Sequence, residues 1–337
     1  MNRQVYRLKA GAIENLQRVD DELPALVGRE VRVAIRSIGL NFADIFAIWG
    51  LYGATPKGEF IPGLEYSGVV EAVGPEAGTY QIGDRVMGVT RFGAYATHLN
   101  IDERYLSPIP ESWSFEEGAA YLVQVLTAYY GLLNLGNLEE GATVLIHSAA
   151  GGVGTLANRI AKKYNAYTIG TIGSPAKIDH CKAEGYDAVI VRGKDFETKL
   201  EEALGNRPLN LIMECIGGKI FEIGFKHLAP QGRSVVYGAA RYASTGNRPN
   251  YLKLFWQYFT RPKIDPQNLP ETNRAVLGFN LIYLYERVEL MHQLLEELKG
   301  LDLAPPVVGH TFQFDALLDA IRTFQSGNTI GKVVVNT

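Results

Sequence analysis

The run "TVLIHSAAGGVG", Thr143 to Gly154, carries the most specific chemistry in the chain. A β-branched apolar stretch enters a turn built from Ala149, Gly151, Gly152, Val153 and Gly154, and the helical pattern "TLANRIAKKY" follows. A backbone so poor in Cβ atoms can turn tightly and approach a pyrophosphate, which then meets the positive end of the helix. Ala149 stands where the dinucleotide-binding fingerprint has its first glycine. A ligand-free glycine turn is the poorer reading, because further strand–helix units follow in register.

The next strand sets the nucleotide. Sites for NAD usually end it with an Asp or Glu that binds the ribose hydroxyls. Here it ends "TIGTIGSPAK", with no acidic residue. Thr171, Gly173, Ser174 and Lys177 offer a hydroxyl, free amides and an ammonium, and Arg192 after the third strand offers a second cation. These suit a 2′-phosphate, so NADPH is favoured over NADH. An ordinary solvated lysine is the competing reading for Lys177 alone. Cys215, Ile216 and Gly217 after the fourth strand, and Tyr237, Gly238 and Ala239 after the fifth, fall at the carboxyl edge of such a sheet, where ligands bind.

A second stretch, "GLNFADIFAIWGLY", places Asn41, Asp44 and Tyr52 in an apolar run. Buried polar side chains need hydrogen-bond partners. These three touch either the protein's own backbone or a ligand.

The elements that hold these residues divide in two. The first third reads as β: "REVRVAIRSIG" alternates with period two, and closely spaced glycines predict a compact barrel or sandwich. "SFEEGAAYLVQVLTAYYGLLNL" opens a helix with Ser and two Glu. From Ala142, strands and helices alternate, the pattern of a doubly wound parallel sheet. The segment 250–284 is aromatic and proline-interrupted, read as a loop-and-helix excursion before a last strand, "LGFNLIYL". The tail reads strand, helix, strand, and is assigned back to the first domain.

The chain has 337 residues, 47% hydrophobic and 20% charged, with net charge −3 and two cysteines. That composition supports two globular domains and argues against nucleic-acid and anionic-membrane partners, a disulfide framework or a clustered metal site. The start has no signal-peptide pattern and no apolar run is long enough to span a bilayer, so a cytoplasmic protein is expected.

Taken in order, "GLNFAD", "PGLEYSGVVEAVG", "GDRVMG", "TAYYGL", "HSAAGGVG" and "GKVVV" resemble the zinc-independent quinone oxidoreductase branch of the medium-chain dehydrogenases/reductases over essentially the whole chain. "GLNFADIFAIWGLY" and "PETNRAVLGFNLIYL" look most similar to the vesicle amine transport protein branch. The resemblance implies an α/β chain with a GroES-like catalytic domain (1–125 and 300–337), a Rossmann domain (126–299) and a homodimer through the Rossmann sheet edge. It puts the zinc-ligand positions of alcohol dehydrogenases at Asn41, Leu64 and, at or near it, Val123, and leucine cannot ligate zinc. It also puts Thr127 against the nicotinamide, and Asn273, Phe279, Asn280 and Lys332 beside the cofactor. Phe46 replaces a tyrosine found in many quinone reductases.

Without a Lewis acid, the natural chemistry is hydride transfer from NADPH to carbon of a quinone or α,β-unsaturated carbonyl. Tyr52 is then the candidate donor to the developing oxyanion, Asn41 the candidate for orienting nicotinamide or acceptor, and Asp44 a loop anchor. A non-catalytic scaffold or trafficking role, with Tyr251–Arg261 as a partner or membrane contact, is the alternative. Erosion of the glycine turn would favour it, and the turn is intact.

Overall fold

A computed structural model describes residues 1–337. Two sheets dominate it. Seven mainly antiparallel strands form the first, in the order Val308–Gln313, Lys332–Asn336, Glu30–Gly39, Glu65–Val73, Arg85–Val89, Leu106–Pro108, with His98–Asp102 also pairing to Glu30–Gly39. Both C-terminal strands belong here: Lys332–Asn336 runs antiparallel to Glu30–Gly39 and parallel to Val308–Gln313.

The second sheet is wholly parallel, in the order Ala188–Val191, Tyr167–Ile172, Thr143–His147, Leu209–Glu214, Leu228–Val236, Ala275–Gly278. Strand order reverses beside Thr143–His147, so a crevice opens at the carboxyl end of that strand. Its residues alternate between two cores. Val144 and Ile146 join the main cluster shared with the antiparallel lobe, whereas Leu145 joins a smaller cluster with Phe196, Leu200 and Ile212. A strand covered on both faces needs this continuous apolar run.

The helix after it, Gly152–Lys163, buries Leu156, Ala157, Ile160 and Ala161 and turns Lys162 and Lys163 outward at its negative end. The sequence departs from expectation in two places. "LGFNLIYL" is strand only to Gly278, and Leu281–Leu284 is a short helix, because Asn280 leaves the sheet edge as its cap. The long helix after Ser114 is broken into Phe115–Ala119, Leu122–Tyr129 and a wider π-helical segment, Tyr130–Leu135. No helix is long and apolar enough to cross a membrane.

Candidate active site

A cleft of about 1150 Å³ runs between the lobes. The glycine turn forms its floor. Ser148 adopts φ 54°, a left-handed conformation that a non-glycine residue takes at a cost, and this swings the chain out of the strand. A Cβ at Gly154 would lie 2.5 Å from Ser148 O and 2.7 Å from Ala149 Cα, so only glycine fits. Gly151, Gly152, Val153 and Gly154 line the cleft. Ala149 does not: it is fully buried, with its methyl beside Gly170.

Cations stand at the end of the second parallel strand. Lys177 Nζ donates to Gly327 O at 2.6 Å and Thr329 O at 2.8 Å, and burial followed by the nearby Arg192 charge lowers its pKa. Arg192 Nη1 donates to Thr171 O at 3.0 Å and Thr171 Oγ1 at 2.9 Å, while its Nη2 lies beside Gly173. Lys177, Arg192 and Gly173 line the cleft. Thr171 was expected to meet the nucleotide and does not. Its side chain points into the sheet, where Oγ1 also bonds His147 Nδ1 at 2.7 Å. His147 is fully buried, with Nε2 3.2 Å from a Glu214 carboxylate that accepts the Ile216 and Gly217 amides through its other oxygen. Burial opposes ionisation of Glu214, but His147 and those amides outweigh it and hold the pKa below the usual range. Gly217 thus turns its amide inward and is absent from the cleft wall, as is Ser174, whose hydroxyl caps the Ala176 amide at 3.4 Å. Cys215, Tyr237 and Gly238 do line it.

At the opposite end, Tyr52 Oη donates to Asn280 Oδ1 at 2.6 Å. Burial pushes the phenol up to about 12, so it stays protonated at neutral pH. Phe46, Thr127 and Phe279 share this wall, and Thr127 returns its hydroxyl proton to Val123 O at 2.7 Å in its own helix. Asn273 lies elsewhere, in a left-handed turn ending the helix Asn268–Thr272.

Between the two ends lies a buried polar cluster, of which the sequence singled out Asn41 and Lys332 but not Glu65 or Gln124. Lys332 Nζ pairs with Glu65 Oε1 and donates to Asn41 Oδ1 at 2.8 Å. Asn41 Nδ2 donates to the same Glu65 oxygen at 2.9 Å and to Gly39 O at 3.3 Å, and Gln124 Nε2 donates to Asn41 Oδ1 and Glu65 Oε1, each at 2.9 Å. Asn41 therefore has no hydrogen-bonding capacity left to orient a ligand, which corrects its assigned role. Asp44 is buried outside the cleft lining. Its Oδ2 accepts the Asn41 amide at 2.8 Å and the Tyr95 hydroxyl at 3.1 Å, the geometry of a loop anchor. Lys332, directly before the tail's final valines, was named from the sequence, and nothing local linked it to Glu65.

A β lobe joined to a doubly wound parallel sheet, with a glycine turn facing the cleft between them, defines the dehydrogenase class of fold. Residues 28–111 match the alcohol dehydrogenase GroES-like domain and residues 152–297 the zinc-binding dehydrogenase family model. The synaptic vesicle membrane protein VAT-1 homolog of Homo sapiens is 33% identical over 316 residues, 93% of this chain and 80% of that protein. Its Danio rerio counterpart is 33% identical over 318 residues, 93% of this chain and 65% of that longer protein. Among solved structures, CurK enoyl reductase aligns with TM-score 0.85 at 26% identity, covering 99% of each chain. A quinone oxidoreductase of Pseudomonas syringae pv. Tomato DC3000 aligns with TM-score 0.82 at 28% identity, over 99% of this chain and all of that one. A mycobacterial protein complexed with NADPH aligns with TM-score 0.84 at 26% identity, again over 99% and 100%. The chain belongs to the medium-chain dehydrogenase/reductase family of oxidoreductases, in its VAT-1-like branch. Asn41, Leu64 and Val123, which the resemblance expects at the zinc-ligand positions, all lie on the cleft wall.

Proposed function

We propose that this protein is an NADPH-dependent reductase that delivers hydride to a quinone or α,β-unsaturated carbonyl without a metal. The observation that carries the reading is one continuous cleft with a glycine-rich turn and two cations at one end and a protonated phenol–amide pair at the other. The residues fit such a cofactor. Gly151 to Gly154 leave room for a pyrophosphate, and Lys177 and Arg192 match a 2′-phosphate. When bound, the cofactor supplies the hydride. The chain's own part is to shield the acceptor with Phe46, Leu64 and Phe279 and to donate hydrogen bonds to the carbonyl oxygen from Tyr52 or Asn280 Nδ2. The enoyl reductase and the quinone oxidoreductase support this class of chemistry. A cytoplasmic homodimer is part of the same reading.

The test is a fluorescence titration with NADPH and NADH, followed by NADPH oxidation with 1,4-benzoquinone, 9,10-phenanthrenequinone, 2-enals and enoyl thioesters. Failure to bind either nucleotide sinks the enzyme reading. Tight NADH and weak NADPH binding removes the 2′-phosphate argument.

One feature favours a second reading, a contact surface kept beside or instead of catalysis. The helix Tyr251–Phe259 exposes Leu252 at 86%, Trp256 at 69% and Phe255 at 64%, and carries no acid. Co-flotation with phosphatidylserine vesicles, abolished by Trp256→Ser with Phe255→Ser, would support it. Absence of flotation at low salt would end the membrane version.

A further inference from the structure

The cleft wall continues past Asn280. Ile282, in the short helix Leu281–Leu284, and Tyr285 after it both line the cleft, as does Met291 from the helix Val288–Lys299. Val89, ending the strand Arg85–Val89, and Thr90 line it from the other lobe. Val89, Thr90, Ile282 and Met291 are buried, so they form a recess in the wall and not its rim. The lobes meet here: Arg91 pairs with Glu286, and the Tyr285 hydroxyl faces Thr90 and the Arg91 backbone. The Tyr285 ring stacks on Tyr105 with centroids 4.1 Å apart, and its carbonyl accepts the Tyr105 hydroxyl at 2.6 Å.

What the recess can hold depends on which polar groups are already used. Thr90 Oγ1 donates to Phe92 O at 2.7 Å, as Thr127 does to Val123 O. Arg91 and Glu286 satisfy each other, and neither lines the cleft. No Asp or Glu lines it anywhere, and its cations, Lys177, Arg192, Lys253 and Lys332, come from other segments. A charged group pushed into the recess would lose water and find no counter-charge, whereas each buried methylene is worth about fourfold in affinity. The cleft, at about 1150 Å³, also exceeds the roughly 300–1,000 Å³ common for one small ligand. We propose that the hydride acceptor is lipophilic, with its reducible head at Tyr52 and Asn280 and an unbranched hydrocarbon tail in the recess of Val89, Thr90, Ile282, Tyr285 and Met291. Ile282 and Met291 then set the tail length. The proposal rests on the reductase reading above.

The test is the dependence of kcat/KM on tail length at saturating NADPH. Two head groups are used, 2-enals from 2-butenal to 2-decenal and 2-alkyl-1,4-benzoquinones from methyl to octyl, so the tail is read on whichever head is reduced. kcat/KM should rise about twofold to fourfold per methylene before levelling off, and a carboxylate in place of the terminal methyl should lower it at least about tenfold. Met291→Phe fills the recess and should cut the long-to-short ratio of kcat/KM about tenfold. Met291→Ala enlarges it and should move the plateau to longer tails. Thermal midpoints reveal whether the phenylalanine variant folds; if it does not, the alanine variant carries the test. A flat series, a preference for the carboxylate, or a ratio unmoved in the folded variants overturns the assignment. Reduction of short acceptors with a flat series strikes the tail recess alone. If neither head group is reduced, the reductase reading falls and takes this one with it.

Discussion

Tyr52 and Asn280 meet across 2.6 Å, joining a loop of the antiparallel lobe to the second residue after the last parallel strand. Both residues line the cleft, so the phenol's position depends on how both lobes are held. Asn280 Nδ2 makes no hydrogen bond within the protein, which leaves a donor free beside the phenol oxygen. Tyr52→Phe should lower kcat with enones about tenfold to a hundredfold while leaving the NADPH dissociation constant within twofold, in line with loss of an oxyanion donor or of the hydrogen bond that aims the Asn280 one. Because the phenol titrates only near 12, the kcat profile should show no Tyr52 ionisation between about pH 6 and 9. Steady-state kinetics and fluorescence titration check both, and unchanged kcat in the variant removes Tyr52 from the chemistry.

On the NADPH reading proposed above, Lys177 and Arg192 hold the adenosine end. Removing one charge-assisted contact, as in Lys177→Ala or Arg192→Ala, should weaken NADPH binding about tenfold to a hundredfold and leave NADH nearly untouched. Lys177 also ties the carbonyls of Gly327 and Thr329, so its variant should unprotect that loop to hydrogen exchange, which the Arg192 variant should not.

Asp44 predicts an unusual pH dependence. Burial raises its carboxyl from 3.8 to about 7, against the hydrogen bond from the Asn41 amide and the Lys332 charge. Between these values the native state holds a proton that the unfolded chain has lost, so this group's stabilisation is fully present below about pH 4 and is lost as pH rises through about 7. The slope is at most about 1.4 kcal/mol per pH unit. Asp44→Asn should keep the fold and flatten that slope. Denaturant midpoints at about pH 5 and about pH 8 measure it, and identical slopes in both proteins would remove Asp44 as the cause.

The Lys332–Glu65 pair is buried, with further bonds to Asn41, Gln124 and the Val123 amide. Lys332→Met alone strands a carboxylate and should cost about 3–5 kcal/mol. Adding Glu65→Gln to it should recover part of that loss, since no lone charge then remains. Denaturant unfolding of the two variants tests this, and additive losses would argue against coupling.

How legible the protein was depends on the range of each interaction. The glycine turn, the strands around it and the helix Gly152–Lys163 lie within a few residues of one another. A β-branched run, Cβ-free positions and an amphipathic face were enough to read them, along with the missing carboxylate after the second strand. Tyr52 could be singled out as a polar residue in an apolar run, but not its partner, 228 positions away. Thr171 and Ser174 show the opposite error. Their types suited a phosphate, yet the period-two alternation of the strand sends Thr171 inward to His147, and a helix cap uses Ser174. Asn41 was read as a position where a metal ligand is missing, and its hydrogen bonds are internal. Those bonds tie it into a cluster drawn from four separate segments, with Lys332 lying 291 residues from Asn41. Sequence alone determined the turn that can cradle a dinucleotide, because local sterics decide it. The burial of a lysine, a glutamate and two amides against that turn was decided only by the tertiary structure, since the desolvation that forces them to pair exists only once the two lobes have closed over them.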